Sequence, residues 1–391
     1  MIKKEDRAPH PPVVVNDQNS FVSFLNELST APVVGVDTES NSLYAYKERV
    51  CLIQFSISGG DFILDPFCFK DLSPLAAFFS NPDQEKIFHA AEYDILCLKR
   101  DYGFEFARIF DTMIAARTLG WPRTGLDSIL EERLGVKINK KHQRANWGMR
   151  PLPQPLIDYA QHDTHYLQRL RDLQWKELVE TGRAEEALEE FARVARLYSE
   201  PAVFDADDFW RVKGAQALAP QQAAILRELY GYRERLAKQS DRPRFKVIGD
   251  PILLEISVSQ PKNLRDLQSI HGMTHGQIRR YGEGLLKGVQ RGLTAAHPKR
   301  PHHKRLPLEV RDRYERLQQW RKEKGKDRGV EPGVILPREA LWALAHQVPR
   351  TPADLDLHPH IGARRRELYG EELIKLLNDK PHRHDPKHRK E

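Results

Sequence analysis

The sequence predicts two architectures in one chain: an α/β domain built on a mixed sheet flanked by helices, followed by two small all-α domains. Three observations lead there. Strand and helix signals alternate over the first 200 residues, strand signals vanish after Phe204, and the helical half repeats itself at an offset of 88 residues. At 391 residues the chain is too long for one ordinary domain, and its 40% hydrophobic content supports several cores.

The elements follow in order. Pro32 to Asp37, PVVGVD, is a short apolar run that predicts a buried strand. Val50 to Ile57 and Asp61 to Asp65 predict two more strands, with Ser58-Gly59-Gly60 as the hairpin turn between them. Lys86 to His89 predicts a fourth strand, running into a helix over about 91–102. Further helices are predicted near Thr112–Leu119 and Gly125–Leu134, and one long helix over about 155–181.

Beyond Phe204, Tyr281 to Lys287 (YGEGLLK) matches Tyr369 to Lys375 (YGEELIK). At the same offset Pro261 falls on Pro349, Leu229 on Leu317 and Tyr232 on Trp320, and both copies carry a Val-Ile pair, Val247-Ile248 and Val334-Ile335. So many coincidences are improbable between unrelated amphipathic helices. Between the copies lies a basic Pro/His-rich stretch, Ala296 to Arg305, and the last residues, Pro381 to Glu391, read as a disordered basic tail. The expected division is 1–205, 206–292, a linker at 293–310, 311–380 and the tail at 381–391.

Charge is unevenly divided. Residues 1–200 carry 24 Lys/Arg against 30 Asp/Glu, a net of −6, while residues 201–391 carry 38 against 25, a net of +13. An acidic front and a basic rear suggest a carboxylate-bearing catalytic unit joined to a polyanion-binding appendage. Apolar runs such as Pro32–Val36 are too short to span a bilayer, and the charged N-terminus lacks the apolar core of a secretory signal. Three cysteines without CxxC spacing fit small buried side chains in a reducing cytoplasm.

Three acidic clusters hold the chemistry. Asp37 and Glu39 end a strand two residues apart, so the period of two places both on one face at the sheet edge. Asp94 lies in the first turns of a helix after the next strand. Tyr159 and Asp163 are four apart in a helix and share one side of it. Each cluster alone has an ordinary structural reading; their conjunction in one α/β domain points to a metal-binding site.

These residues resemble the DEDD exonuclease superfamily in its tyrosine-bearing branch, and within it the ribonuclease D family and its relative in the nuclear exosome. Asp37 and Glu39 match the first motif, Asp94 the second, and Tyr159 with Asp163 the third. The likeness extends through Val50 to Phe55, Asp101-Tyr-Gly, Phe110-Asp-Thr, Gly125 to Leu130 and Asn146 to Leu152. Ala90 departs from the Asn that many members carry four residues before the second-motif Asp; His89-Ala90-Ala91 is similar to the ribonuclease D branch. The helical repeats resemble HRDC domains, the first copy more closely than the second.

The resemblance implies a ribonuclease H-like fold and a 3′→5′ exoribonuclease that trims precursor tRNA 3′ ends. It implies two divalent ions, Mg²⁺ or Mn²⁺, about 3.5–4 Å apart. Asp37 would bridge them, Glu39 and Asp163 would complete the water-activating site, and Asp94 would hold the leaving-group ion. Tyr159 would orient the attacking water and help accept its proton. Gln54, His89 and Trp147 are expected to line the terminal nucleotide, and the basic repeats to hold the RNA body through phosphates. A monomer with no obligate protein partner and no membrane attachment is expected. A DNA 3′→5′ exonuclease and a catalytically silent RNA-binding scaffold remain the alternatives; retention of all five motif residues argues against the second.

Overall fold

In a computed structural model that describes residues 10–138, 140–198, 200, 203–301, 306–358 and 360–379, the front of the chain folds around a six-stranded mixed sheet. The strands are β1 (Val13–Val15), β2 (Val33–Ser40), β3 (Val50–Ile57), β4 (Gly60–Leu64), β5 (Glu85–Phe88) and β6 (Ile109–Asp111), in the order β1-β4-β3-β2-β5-β6. β3 runs antiparallel to both β2 and β4, and the other neighbours are parallel. β3 is mostly apolar and almost wholly buried because it lies inside the sheet with both faces covered; its two polar residues are Gln54 and Ser56.

Eight helices of this domain surround the sheet: α1 (Gln18–Thr30), α2 (Pro74–Ser80), α3 (Glu92–Tyr102), α4 (Thr112–Leu119), α5 (Leu126–Ile129), α6 (Gln154–His165), α7 (Leu167–Glu180) and α8 (Ala184–Ala195). α1 begins with a capping box in which Asp17 accepts from the Ser20 amide at 2.8 Å, and it buries Phe21, Phe24 and Leu28 under the sheet.

Two expectations change. The single helix over 155–181 is two, divided at Tyr166. No Gly or Pro marks the break; long-range bonds fix it. Ser56 donates to Thr164 at 2.7 Å, and Asp61 accepts from Gln161 at 2.6 Å and pairs with His165 at 2.7 Å, which ties the end of α6 to β3 and β4. Gly35 completes the seat, since a Cβ there would stand 2.9 Å from the Thr164 carbonyl. Secondly, Asp37 and Glu39 are not on an edge strand. β2 is central, but β5 pairs only with Val33–Gly35, so the acids stand at the sheet's rim, beyond the end of β5.

The rear half consists of two five-helix units: α9 (Pro220–Gln239), α10 (Arg244–Val247), α11 (Asp250–Ser259), α12 (Leu264–Gln268) and α13 (His275–Thr294), then α14 (Leu308–Arg328), α15 (Pro332–Ile335), α16 (Arg338–His346), α17 (Pro352–Asp356) and α18 (Ala363–Asn378). Each has its own apolar core, with Leu229 and Leu317 buried at matching places. The repeat extends to polar detail: Arg233 donates to the Ile248 carbonyl at 3.0 Å, and Arg321, 88 residues later, donates to that of Leu336 at 2.9 Å. Residues 302–305 of the expected linker and the expected tail at 381–391 lie outside the described residues.

The second helical unit grips α8. Arg328 holds the buried Glu186 through two bonds of 2.7 and 2.6 Å. Glu189 accepts from the amides of Gly362 and Arg364 at the start of α18 and from Arg365 at 2.9 Å, so a carboxylate of the front domain caps a helix of the rear one. A side chain at Gly362 would overlap that carboxylate.

Candidate active site

β2 delivers Asp37 and Glu39, and α6, seated against Gly35, delivers Asp163 and Tyr159. The carboxylates of Asp37, Glu39 and Asp163 each offer an oxygen within 4.8 Å of the other two. Asp94 approaches from α3 and is held by the residue between the two acids of β2: the Thr38 amide donates to it at 3.1 Å and the Thr38 hydroxyl at 2.5 Å.

Such crowding is unfavourable to negative charge. Burial, then the charges of Asp94, Asp163 and Glu39, pushes Asp37 well above the usual carboxylate range. Burial, then Asp163 and Asp94, does the same to Glu39. Asp163 is pushed up to about 7 by burial and by Asp94, and burial takes Asp94 to about 7 against the lowering effect of Thr38. Four acids arranged to repel one another form a site that a divalent cation stabilises, and an all-oxygen donor set suits Mg²⁺ or Mn²⁺. Gln54, opposite Asp37 on β3, is fully buried with neither end of its amide bonded to protein, which fits a polar centre beside it.

Tyr159 and Asp163 both border a cleft of about 260 Å³, with Lys137, His142, Asp158 and His162 among its other walls. Burial, then the charges of Asp163, Glu39 and Asp37, pushes the Tyr159 phenol up, so this side chain keeps its proton and donates.

None of the other three expected residues lines this cleft. Trp147 is 1% exposed and packs against Tyr159 with ring centroids 6.0 Å apart. His89 lies 2.8 Å from the Thr112 hydroxyl, and burial with Arg117 beside it pushes its imidazole down to about 4, which leaves it neutral.

Sequence reasoning missed two supports. Thr38 stood inside the first motif without an assigned role. Asp111, within the Phe110-Asp-Thr stretch, accepts from the amides of Ala90, Ala91, Met113 and Ile114. It thereby caps α4 and steadies Ala90, whose left-handed φ of 63° is a conformation that Asn tolerates better than Ala. This turn launches α3 and so places Asp94.

Comparison with known proteins agrees with this geometry. The 3′-5′ exonuclease family matches residues 12–179, and the HRDC domain matches residues 222–289 and 310–377. Exosome complex exonuclease RRP6 of Saccharomyces cerevisiae is 30% identical over 281 residues, which are 68% of this chain and 38% of that protein. The chain thus spans little more than a third of that relative's length. Ribonuclease D of Pseudomonas paraeruginosa is 28% identical over 370 residues, covering 93% of this chain and 96% of its own. The crystal structure of Escherichia coli RNase D, described as an exoribonuclease involved in structured RNA processing, superposes with a TM-score of 0.69 at 25% identity, covering 95% of this chain and 100% of that one. Among the described residues no helix is long and apolar enough to cross a membrane. With an acid cluster on a ribonuclease H-like sheet and two HRDC domains behind it, the chain belongs to the DEDD-type 3′-5′ exonuclease family, in the ribonuclease D arrangement.

Proposed function

We propose that this chain is a 3′→5′ exoribonuclease that hydrolyses RNA from its 3′ end, releases nucleoside 5′-monophosphates and trims structured precursors such as those of tRNA. The observation that carries this reading is the meeting of Asp37, Glu39 and Asp163 within 4.8 Å, with Tyr159 one helical turn from Asp163.

Asp37, Glu39, Asp163 and Asp94 would hold two divalent cations, Mg²⁺ or Mn²⁺. When bound, such ions neutralise charge on the attacked phosphate and leaving oxygen and activate water. The chain's own groups do the rest. Tyr159, held protonated, donates to the incoming water and fixes its line of approach. Thr38 holds Asp94 in place against the repulsion of the other acids, whose proton affinity its charge raises. Gln54, His89 and Trp147 would line the terminal nucleotide, with Trp147 packed against Tyr159.

The nuclease unit is assigned to 1–205 and the HRDC units to 206–292 and 311–380, joined by a linker at 293–310. The basic rear contacts phosphates without reading sequence. The protein acts as a cytoplasmic monomer on RNA.

The test is digestion of an unmodified, 5′-labelled precursor tRNA and of single-stranded DNA, each with and without chelator. A ladder shortening from the RNA 3′ end, abolished by chelator and by Asp37→Ala, is the expected result. Faster DNA digestion would assign the DNA exonuclease reading, and metal-independent inertness the scaffold reading.

A further inference from the structure

We propose that Tyr44 and Tyr46 couple the first helical unit to the catalytic cleft, so that this unit shapes the active site as well as holding RNA; the inference rests on the exonuclease reading above. The segment 41–49 leaves β2 just after Glu39 and returns into β3. Buried Asn41 stiffens it: its side chain accepts from the Arg49 amide at 2.8 Å, and its carbonyl accepts from the amides of Tyr44 and Ala45 at 2.8 and 3.0 Å.

The two tyrosines hold different partners. Tyr46 faces the helical unit: its amide donates to Asp241 at 3.1 Å, and its hydroxyl donates to Glu234, a carboxylate also held by Arg244 at 2.9 Å. Tyr44 stands between the two domains. Lys246 of α10 lies 3.8 Å from its ring centre, and its hydroxyl donates to the Arg144 carbonyl at 2.7 Å.

Arg144 belongs to the segment that runs on from the wall of the cleft. It lies between His142, which borders the cleft, and Trp147, which packs on Tyr159. Among the described residues the backbone bonds within 142–149 are all short-range: Ala145 donates to the His142 carbonyl at 2.9 Å, Trp147 to that of Ala145 at 3.1 Å and Met149 to that of Asn146 at 3.2 Å. The placement of this segment therefore depends on anchors at its ends. Arg150 supplies one, bonding the carbonyls of Trp147 and Met149 at 2.7 Å each while pairing with Asp65. Tyr44 supplies the other, steadied by α10 and by Tyr46. Docking of the helical unit thus reaches the surface behind Tyr159 in three contacts. Tyr44 and Tyr46 are positioning residues; neither is assigned a contact with RNA.

The experiment uses the full chain, with Tyr44→Phe and Tyr46→Phe, each removing one hydroxyl. On a short single-stranded RNA, each should lower kcat about fivefold, the effect of one modest hydrogen bond, with KM within about twofold of wild type. Amide hydrogen exchange over 141–149 should rise in both. Unchanged kcat and exchange overturn the proposal. So does a rise in KM alone, which would mark the tyrosines as RNA contacts, and so does exchange raised evenly across the whole nuclease domain. If the wild-type protein digests no RNA, the exonuclease reading fails, and the exchange measurement still decides the coupling.

Discussion

Replacing Asp163 with Asn should stabilise the cation-free protein while abolishing its activity. Burial and the Asp94 charge push Asp163 from 3.8 up to about 7, and burial takes Asp94 to about 7 as well. A carboxyl with a folded pKa above its unfolded value binds its proton more tightly in the native state. Stability is then full below the unfolded value and is lost as pH rises through the folded one. The window therefore runs from about 3.8 to just above 7. Each tenfold change in proton affinity is worth about 1.4 kcal/mol, so one carboxyl moved this far weakens the cation-free fold by roughly 4 kcal/mol at pH 8. The four acids titrate together, so their individual costs do not add. A divalent cation at a hundred times its dissociation constant restores about 2.7 kcal/mol. For a domain of this size, that is roughly 5–10 °C in Tm. The assay is thermal unfolding followed by circular dichroism between pH 5 and 8, in EDTA and with Mg²⁺ or Mn²⁺. In EDTA the wild-type Tm should fall as pH rises, and cation should restore much of it. Asp163→Asn should melt higher than wild type in EDTA at pH 8, respond less to cation and digest no RNA. A wild-type Tm indifferent to both pH and cation, or an Asp163→Asn variant that melts lower in EDTA, would refute the reasoning.

Asp37→Ala and Asp94→Ala should each abolish digestion with circular dichroism unchanged; near-normal activity with Mg²⁺ or Mn²⁺ in either would remove the cluster from the mechanism. Tyr159→Phe should lower turnover by roughly 10²–10⁴-fold and leave RNA affinity near wild type, checked by single-turnover kinetics and binding to chelated protein. Arg328→Ala leaves Glu186 buried without its cation, at a cost of about 3–5 kcal/mol, and should detach the second helical unit from α8, seen as a lower first melting transition. A chain ending near residue 205 keeps all five motif residues and loses the net +13 half, so its RNA affinity should fall less steeply with salt, by about 0.7–0.9 in slope per lost phosphate contact. Paired titrations in Asp37→Ala backgrounds measure this, and equal slopes would exclude the helical units from RNA binding.

Elements whose signal is local were legible. The span of β3 follows from a mostly apolar run covered on both faces, and α4 from its helical period, closed by Gly120. β1 and β6, at three residues each, are too short to display a period. α1 went unread because its capping box pairs Asp17 with Ser20, not with the Glu or Gln that usually marks one. The division of α6 from α7 could not be read locally at all, because its causes lie in Asp61, Ser56 and Gly35, about a hundred residues or more upstream. The five motif residues could be singled out only by their conjunction in one domain and their likeness to known motifs, since each cluster alone has an ordinary structural reading. Thr38 and Asp111 could not be, since a hydroxyl or acid that braces a turn has the same letter as one at the surface.

Net charge proved a coarser guide than it looked. Part of the +13 in the rear half is neutralised inside the molecule: Arg328 pairs with Glu186, Arg365 with Glu189 and Glu190, and Arg364 with Glu185. These arginines answer the acidity of α8, so the acidic front and basic rear attract one another as well as outside partners. Arg365 is almost wholly buried, and phosphate cannot reach it without undoing the interface. The cations left for RNA are those on other faces, such as exposed Lys262, Arg279 and Lys287 in the first unit. Charge removal should therefore separate the two roles. Neutralising Arg365 should lower stability and leave the salt slope of RNA binding unchanged, whereas neutralising Arg279 and Lys287 should flatten that slope and leave stability within about 0.5 kcal/mol. The reverse pattern would place the RNA path over α8, a surface that the second helical unit covers in this structure.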